Sequence, residues 1–438
     1  MVEGLSAEPA SGSAAERPVA RLRRWAGILS AFFTAQGLVQ LTGLAAGLLL
    51  VRTLPVREFA LYTLALSVIT FFTFLSDMGS TTSLIHFSHR ARQEGEDFAP
   101  YLAAVLSLRR SGFLLGALGV AVAFPRVAAA KGYGGTEIAL TVAAVLVTVW
   151  FQIGAAVRVL ALRLADRYGV SYRAEVAGSV LRLLFTAGLV ATALLQAWLG
   201  VLASAVGTGT TALLAERGGA PPPVAGTDLG PHRRRVLRYL VPTLPSALYF
   251  AIQGPLVVWL AATFGATRNI AEVGALTRLG LVVGMFSTLS SVVFLPRLAR
   301  ITDERAWRIR YAQFGGSLAA IALALAAGAA LFPWALLWIL GQSYSGLHRE
   351  LVLVVAGSGL TLLDGYVVSV NMARAWTRWQ GLAVVSLILS QAALVAFVPL
   401  GTTSGVLTFS LLSSGAALAG QLVITAAGLA RPAWVRWQ

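Results

Sequence analysis

The chain has 438 residues, 57% of them hydrophobic and 12% charged, with a mean hydropathy of +0.76. A soluble domain needs roughly 25% charged residues to cover its surface, so composition excludes an ordinary soluble fold and points to an apolar, lipid-facing surface. The net charge of +16 sits in short arginine clusters between apolar runs, which argues against a nucleic-acid stripe, and with no cysteine there is no thiol catalysis, disulfide or cysteine metal site.

Residues 1–20 are rich in Ala, Ser, Glu and Pro and have no apolar core, so they are not a signal peptide. With the residues up to 24 they read as a disordered cytoplasmic tail. A membrane span needs about 20 mostly apolar residues. Such runs fall near 25–51, 58–88, 101–124, 136–158, 171–194, 197–216, 238–264, 271–296, 309–332, 350–370, 381–399 and 404–428. The expected fold is an all-α polytopic membrane protein of about 12 transmembrane helices in two pseudo-symmetric six-helix lobes, 25–216 and 238–428. A cytoplasmic linker at 217–237 joins the lobes and a cytoplasmic tail at 429–438 closes the chain.

An even number of spans puts both termini on one side, and basic residues favour the cytoplasm. With the N-terminus inside, the inside segments hold 26 of the 34 basic residues and the outside segments 6, namely Arg52, Arg57, Arg126, Lys131, Arg268 and Arg349. Arg182 and Arg278 lie within spans. A shift of 214 residues places Thr53, Glu58, Thr63, Val68, Phe72, Leu75 and Ser76 on Thr267, Glu272, Thr277, Val282, Phe286, Leu289 and Ser290, and carries each of the first six spans onto one of the last six. That register argues for duplication, with the lobes related by an axis along the membrane normal and a cavity between them. In the linker, Gly218-Gly219-Ala220-Pro221-Pro222-Pro223 reads as flexible, and His232-Arg233-Arg234-Arg235 as a basic segment against anionic headgroups.

The run Leu50-Val51-Arg52-Thr53-Leu54-Pro55-Val56-Arg57-Glu58-Phe59-Ala60-Leu61-Tyr62, followed by Ser76-Asp77-Met78-Gly79, resembles the oligosaccharide and polysaccharide (O-antigen type) flippase family of the multidrug/oligosaccharidyl-lipid/polysaccharide exporter superfamily. Leu237 to Pro245 and Glu272 to Leu279 resemble the starts of that family's seventh and eighth spans. Two departures stand out. Ala60 replaces the usual glycine, and Gln253-Gly254-Pro255 stands where members often carry an acidic residue midway along the seventh span. The resemblance implies a transporter that flips polyprenyl-pyrophosphate-linked sugar units outward across a bacterial inner membrane. It needs no cofactor, works as a monomer, and associates with polysaccharide polymerase machinery.

Charge within a span costs about 2.5–3.5 kcal/mol, so such residues face a cavity or a partner. Asp77, Arg278, Arg182 and Asp364 are the substrate-binding candidates. Asp77 is either a cavity carboxylate or a structural one, capping a break at Gly79 or pairing with an arginine of another span. Arg278, six residues past Glu272, suits a diphosphate through bidentate hydrogen bonds, or else snorkels to the headgroups. Arg182 can be neutralised by Glu175, two helical turns earlier on one face. Asp364, with Asn371 two turns on, lines the cavity or hydrogen-bonds between helices. Arg52, Arg57, Glu58, Arg268 and Glu272 form a candidate outer gate. Gln36, Gln40, Gln253, Gln391 and Gln421 suit sugar hydroxyls or helix–helix hydrogen bonds. No Walker motif, catalytic constellation or metal pair is present.

A multidrug or organic-cation antiporter of the same superfamily is the main alternative. It calls for a net acidic, aromatic site, whereas Asp77 and Asp364 are offset by Arg182 and Arg278. A membrane glycosyltransferase fits less well, because the longest outer segment, 333–349, has no carboxylate. A major-facilitator transporter would carry a GxxxDRxGRR pattern, which His89-Arg90-Ala91-Arg92-Gln93-Glu94-Gly95 lacks.

Overall fold

In lipid every backbone N–H and C=O must find its partner within the chain, so apolar runs of this length have helix as their stable form. The computed structural model describes residues 18–77, 80–219, 229–241, 244–290, 294–299, 301 and 303–430. Gly79, the Pro-rich centre of the linker, and the outer parts of both expected tails lie outside the described residues.

Helix α1 (Pro18–Thr53) begins inside the expected tail and ends before Leu54-Pro55, where the proline ring disfavours helical geometry at the preceding residue. Helices α2 (Val56–Asp77) and α3 (Ser80–Glu94) divide the predicted 58–88 span. The cause is polar: Asp77 accepts from the Thr81 N–H (3.3 Å) and hydroxyl (2.5 Å) and so caps the start of α3. Next come α4 (Ala99–Ala130), α5 (Gly135–Leu164), α6 (Tyr168–Ala191) and α7 (Ala197–Arg217). The basic end of the linker is itself helical, as α8 (Gly230–Leu240).

The predicted seventh span is broken. Helices α9 (Leu244–Gln253) and α10 (Leu256–Phe264) meet at a 54° bend around Gly254-Pro255, where proline supplies no N–H to continue the ladder. Then follow α11 (Thr267–Leu289), the short α12 (Leu295–Ala299), α13 (Glu304–Leu331) and α14 (Pro333–Leu340). The chain closes with α15 (His348–Ala373), α16 (Gln380–Phe397) and α17 (Thr403–Ala430). Among the described residues eleven helices are long and apolar enough to cross a membrane, or twelve when the bent pair α9 and α10 is counted as one span. The protein is therefore a multi-pass, all-helical membrane protein.

Helices α1, α2 and α4–α7 pack on one another, as do α11, α13 and α15–α17. The two sets meet where α2 lies along α9, α10 and α11, and where α1 touches α11 and α14. Without a hydrophobic drive between helices in lipid, close packing of small and shape-matched groups does this work. At Gly274 on α11 a Cβ would stand 2.2 Å from Thr63 Oγ1 on α2, so the helices approach there as only glycine allows.

Each lobe carries the same internal clamp at its arginine-poor end, the end with the α1–α2, α4–α5 and α6–α7 turns. Glu58 on α2 accepts from the Ala197 N–H at the first residue of α7 (2.8 Å). Glu272 on α11 accepts from the Thr403 hydroxyl at the first residue of α17 (2.5 Å). Glu58 and Glu272 are partners in the sequence repeat, and each holds the last span of its own lobe. These contacts differ from the outer-gate role expected for both glutamates, since neither reaches across the lobes.

Candidate functional site

A cavity of about 590 Å³ lies between α2 and the second lobe, lined by Thr63, Ser67, Thr70, Thr277, Arg278 and Ser287, among others. Hydroxyl groups alternate here with glycines and aliphatic side chains, so the wall offers neutral hydrogen bonds and a single formal charge, Arg278. That residue reaches across the lobes. Its side chain lies against Gly47 of α1, where a Cβ would be 3.4 Å from Arg278 Cδ, and its guanidinium carbon is 5.9 Å from the Tyr62 ring centroid. Arg182, on α6 of the first lobe, is near enough for the two like charges to repel.

Among the described residues neither arginine pairs with a carboxylate, Asp77 being held by Arg109 and Glu175 by Arg163. Arg278 Nε, Arg182 Nε, Tyr62 Oη and Thr63 Oγ1 are all buried without a hydrogen-bond partner among the described residues. A partly buried guanidinium costs least when paired, so the two arginines make this the cationic side of the lobe interface. The expected Arg182–Glu175 pair does not form. Glu175 accepts instead from Arg163 at the end of α5 (2.6 Å), a partner supplied by the packing of α6 on α5 rather than by spacing along α6.

Asp77 is bound on its own lobe. It pairs with the buried Arg109 of α4, whose Nε also donates to Ser80 Oγ at 2.7 Å. Sequence reasoning missed Arg109 and counted Arg109 and Arg110 with the inside segment. Both lie within α4, and the signal was there in two arginines ten residues or more past Ala99.

Asp364 lines a second cavity of about 460 Å³ with Tyr249, Phe250, Gln253, Gln391 and Ser413. This cavity shares Gly254, Val257, Thr361 and Ser410 with the first. Asp364 Oδ1 and Tyr249 Oη are buried without a partner among the described residues. Asn371 does not join Asp364. It donates to Gln421 (3.1 Å) and accepts from Thr425 (2.8 Å), in a network that also ties Gln421 to Gln380 (2.9 Å). Gln391 donates to Ser413 (2.6 Å). Among the described residues no cluster of three or more His, Asp or Glu could hold a metal ion.

At the arginine-poor end two cations bridge the lobes. Arg52 donates to the carbonyls of Ile339 (2.9 Å) and Trp338 (2.6 Å), with its guanidinium over the Trp338 ring, and Lys131 donates to the Gly265 carbonyl (2.6 Å). These carbonyls close helix C-termini, where a cation is favoured. Arg57 and Arg268 do not bridge. Arg57 binds Glu137 (3.0 and 3.1 Å) and the Gly132 carbonyl within its own lobe, and Arg268 binds Glu272 (2.8 Å) one turn along α11. Tyr133 donates to the Arg57 carbonyl (2.8 Å), and burial raises its hydroxyl pKa. At the arginine-rich end α8 rests on the first lobe, with Arg235 donating to Tyr101 Oη (2.8 Å) and Tyr239 stacked on His86.

No family model matches the sequence, and no curated protein is similar to it. The fold is similar to that of several solved membrane transporters. In particular, the lipid II flippase MurJ in an inward closed conformation superposes with a TM-score of 0.73 at 13% identity, over 90% of this chain and 87% of that one. An inward-facing multidrug resistance MATE family transporter gives 0.58 at 16%, over 89% of this chain and 95% of that one. A MOP-superfamily transporter from Pyrococcus furiosus, described by the reverse polarity of its binding pocket, gives 0.52 at 15%, over 92% and 95%.

Proposed function

We propose that the protein is a flippase that exports polyprenyl-pyrophosphate-linked oligosaccharide units across the cytoplasmic membrane of a bacterium for cell-surface polysaccharide biosynthesis, by alternating access between its lobes. The observation that carries this reading is the pair Arg278 and Arg182, two partly buried arginines from opposite lobes whose Nε atoms are buried and unpartnered among the described residues and whose charges repel. A diphosphate supplies the missing charge and the oxygens for bidentate bonds, and the hydroxyls of the adjoining cavity suit sugars. With both termini cytoplasmic, the orientation that the arginine distribution favours, an inside-negative potential drives the anion outward by roughly 2.3 kcal/mol per charge per 100 mV. Arg52 and Lys131 then serve as the outer closure. Export that ignores collapse of the potential would remove the voltage component.

The second cavity favours another reading. Asp364 with Tyr249, Phe250 and Phe74 is acidic and aromatic, the chemistry of an organic-cation antiporter. The discriminating experiment is flipping of a fluorescent polyprenyl-pyrophosphate oligosaccharide in proteoliposomes, with Arg278→Ala, Arg182→Ala and Asp364→Asn run beside wild type. Transport lost in both arginine variants supports the flippase. Proton-driven efflux of organic cations that only Asp364→Asn abolishes, with no lipid flipping, would establish the antiporter.

A further inference from the structure

An amphiphilic cargo sets a problem that the polar cavity does not solve. Its head fits among the hydroxyls and Arg278, but a long hydrocarbon chain left in that cavity would keep apolar surface against water and polar groups. The chain needs an apolar path that starts beside the head. A groove of about 480 Å³ lies between α2 and α4 of the first lobe and α10 of the second. Leu64, Val68, Phe71, Val120, Phe124 and Trp259 form much of its wall, and Thr263 is its one hydroxyl-bearing residue.

Groove and cavity stand back to back. On α2, Leu66, Ser67 and Thr70 face the cavity while Leu64, Val68 and Phe71 face the groove; around α10, Val257 and Val258 face one and Trp259 and Ala262 the other. One layer of side chains separates them. Across it Trp259 Nε1 donates to Ser67 Oγ of the other lobe (3.0 Å), with the Phe71 ring 5.3 Å from Trp259. That bond joins two side chains, and α10 is set at 54° to α9 by the bend at Gly254-Pro255. On the lipid side the groove is notched. Gly119 and Ala123 of α4 are exposed, and nothing lies within 4 Å of a Cβ at Gly119, whereas Leu114, Leu115 and Leu118 of the same helix project into the bilayer.

We propose that this groove holds the hydrocarbon chain of the anionic lipid whose head lies against Arg278, and that the Ser67–Trp259 seam is the threshold between the two. The proposal rests on the flippase reading and adds to it the place of the tail. Since the walls come from both lobes, lobe movement and tail position are linked, and cargo of sufficient chain length is selected by the groove as well as by the arginines.

The test is binding of undecaprenyl pyrophosphate and of geranyl pyrophosphate to the full-length protein in nanodiscs, for wild type, Gly119→Trp, Leu115→Trp and Arg278→Ala. Gly119→Trp fills the notch, and Leu115→Trp places the same ring on the bilayer face of the same helix. The expected result is a loss of about tenfold or more in affinity for the long-chain lipid in Gly119→Trp, from the displaced methylenes. Geranyl pyrophosphate should be unaffected, and Leu115→Trp should bind both as wild type does. A long-chain lipid bearing a terminal photoreactive group should also crosslink at Val120, Ala123 and Ala262, more than a phosphatidylcholine bearing the same group. Arg278-dependent binding of the long-chain lipid that Gly119→Trp leaves intact, or equal crosslinking by phosphatidylcholine, would overturn the groove assignment alone. Absence of Arg278-dependent binding for either pyrophosphate would overturn the flippase reading, and the groove assignment with it.

Discussion

Gly274→Ala should tilt the protein away from the conformation described here. The added Cβ would lie 2.2 Å from Thr63 Oγ1, 2.5 Å from its Cγ2 and 2.9 Å from its Cβ. All three atoms belong to the partner lobe, beside the α2 backbone, so no long side chain can swing aside. Overpacking of this kind costs about 1–3 kcal/mol, and the cost falls on the state in which α2 and α11 touch at their arginine-poor ends. If the lobes alternate, the state with those ends apart pays nothing, and the equilibrium shifts by about 5- to 150-fold. The chain has no cysteine, so spin labels can be placed at Ala130→Cys and Gly346→Cys, exposed positions at that end of either lobe. Electron–electron distance distributions should gain a longer component in Gly274→Ala. Thr63→Ala in the same chain should return part of it, since two of the three clashing atoms leave. An unchanged distribution would refute the reasoning, because it would mean the helices yield locally instead of moving with their lobes.

Four further outcomes follow from named contacts. Arg182→Met should raise the thermal stability of the ligand-free protein while weakening pyrophosphate binding, because it relieves repulsion with Arg278 and removes half of the proposed anion site; a loss of stability would show that Arg182 is structural. Asp77→Ala should cost about 3 kcal/mol by stranding the buried Arg109, and Asp77→Ala with Arg109→Leu should recover most of it. Detergent-titration unfolding reads this, and equal losses in single and double variants would contradict it. Glu58→Leu and Glu272→Leu should each lower stability by about 1–2 kcal/mol through loss of the clamp on α7 or α17. Tyr344, buried in the turn before α15 with its hydroxyl unpartnered among the described residues, has its pKa pushed up to about 12 by burial. A raised pKa means the stability it allows is intact below the unfolded value of about 10 and is lost as pH rises toward the folded value. Tyr344→Phe should therefore be more stable by about 1 kcal/mol at neutral pH and should lose less stability above pH 10. A lower melting temperature in Tyr344→Phe would count against this.

The membrane spans were legible because hydropathy is a local property, and backbone satisfaction in lipid leaves helix as its outcome. Arg278 was legible for the same reason, as a charge where charge is expensive. What the sequence did not show was who meets whom. Spacing along one helix offers Glu175 to Arg182, but packing between helices, which spacing does not encode, gives Glu175 to Arg163 of α5. The convergence of Arg182 on Arg278 joins residues 96 positions apart in different lobes, which no periodicity encodes. Arg109 hid at the edge of a basic cluster, so its counterion, Asp77, was weighed as a cavity residue and as a structural one with no partner to decide the matter. The seventh span bends at Gly254-Pro255, a break that hydropathy, averaged over a window, does not register.

The duplicated glutamate clamps bear on how the polypeptide can be made. Glu58 ties α7 to α2, and Glu272 ties α17 to α11, each wholly inside its own half of the chain. Each half thus has its own lock on its last helix and borrows none from the other. The protein should therefore tolerate being synthesised as two separate polypeptides, cut within residues 220–228 so that α8 stays with the second half, and should reassemble in the bilayer when the halves are co-expressed.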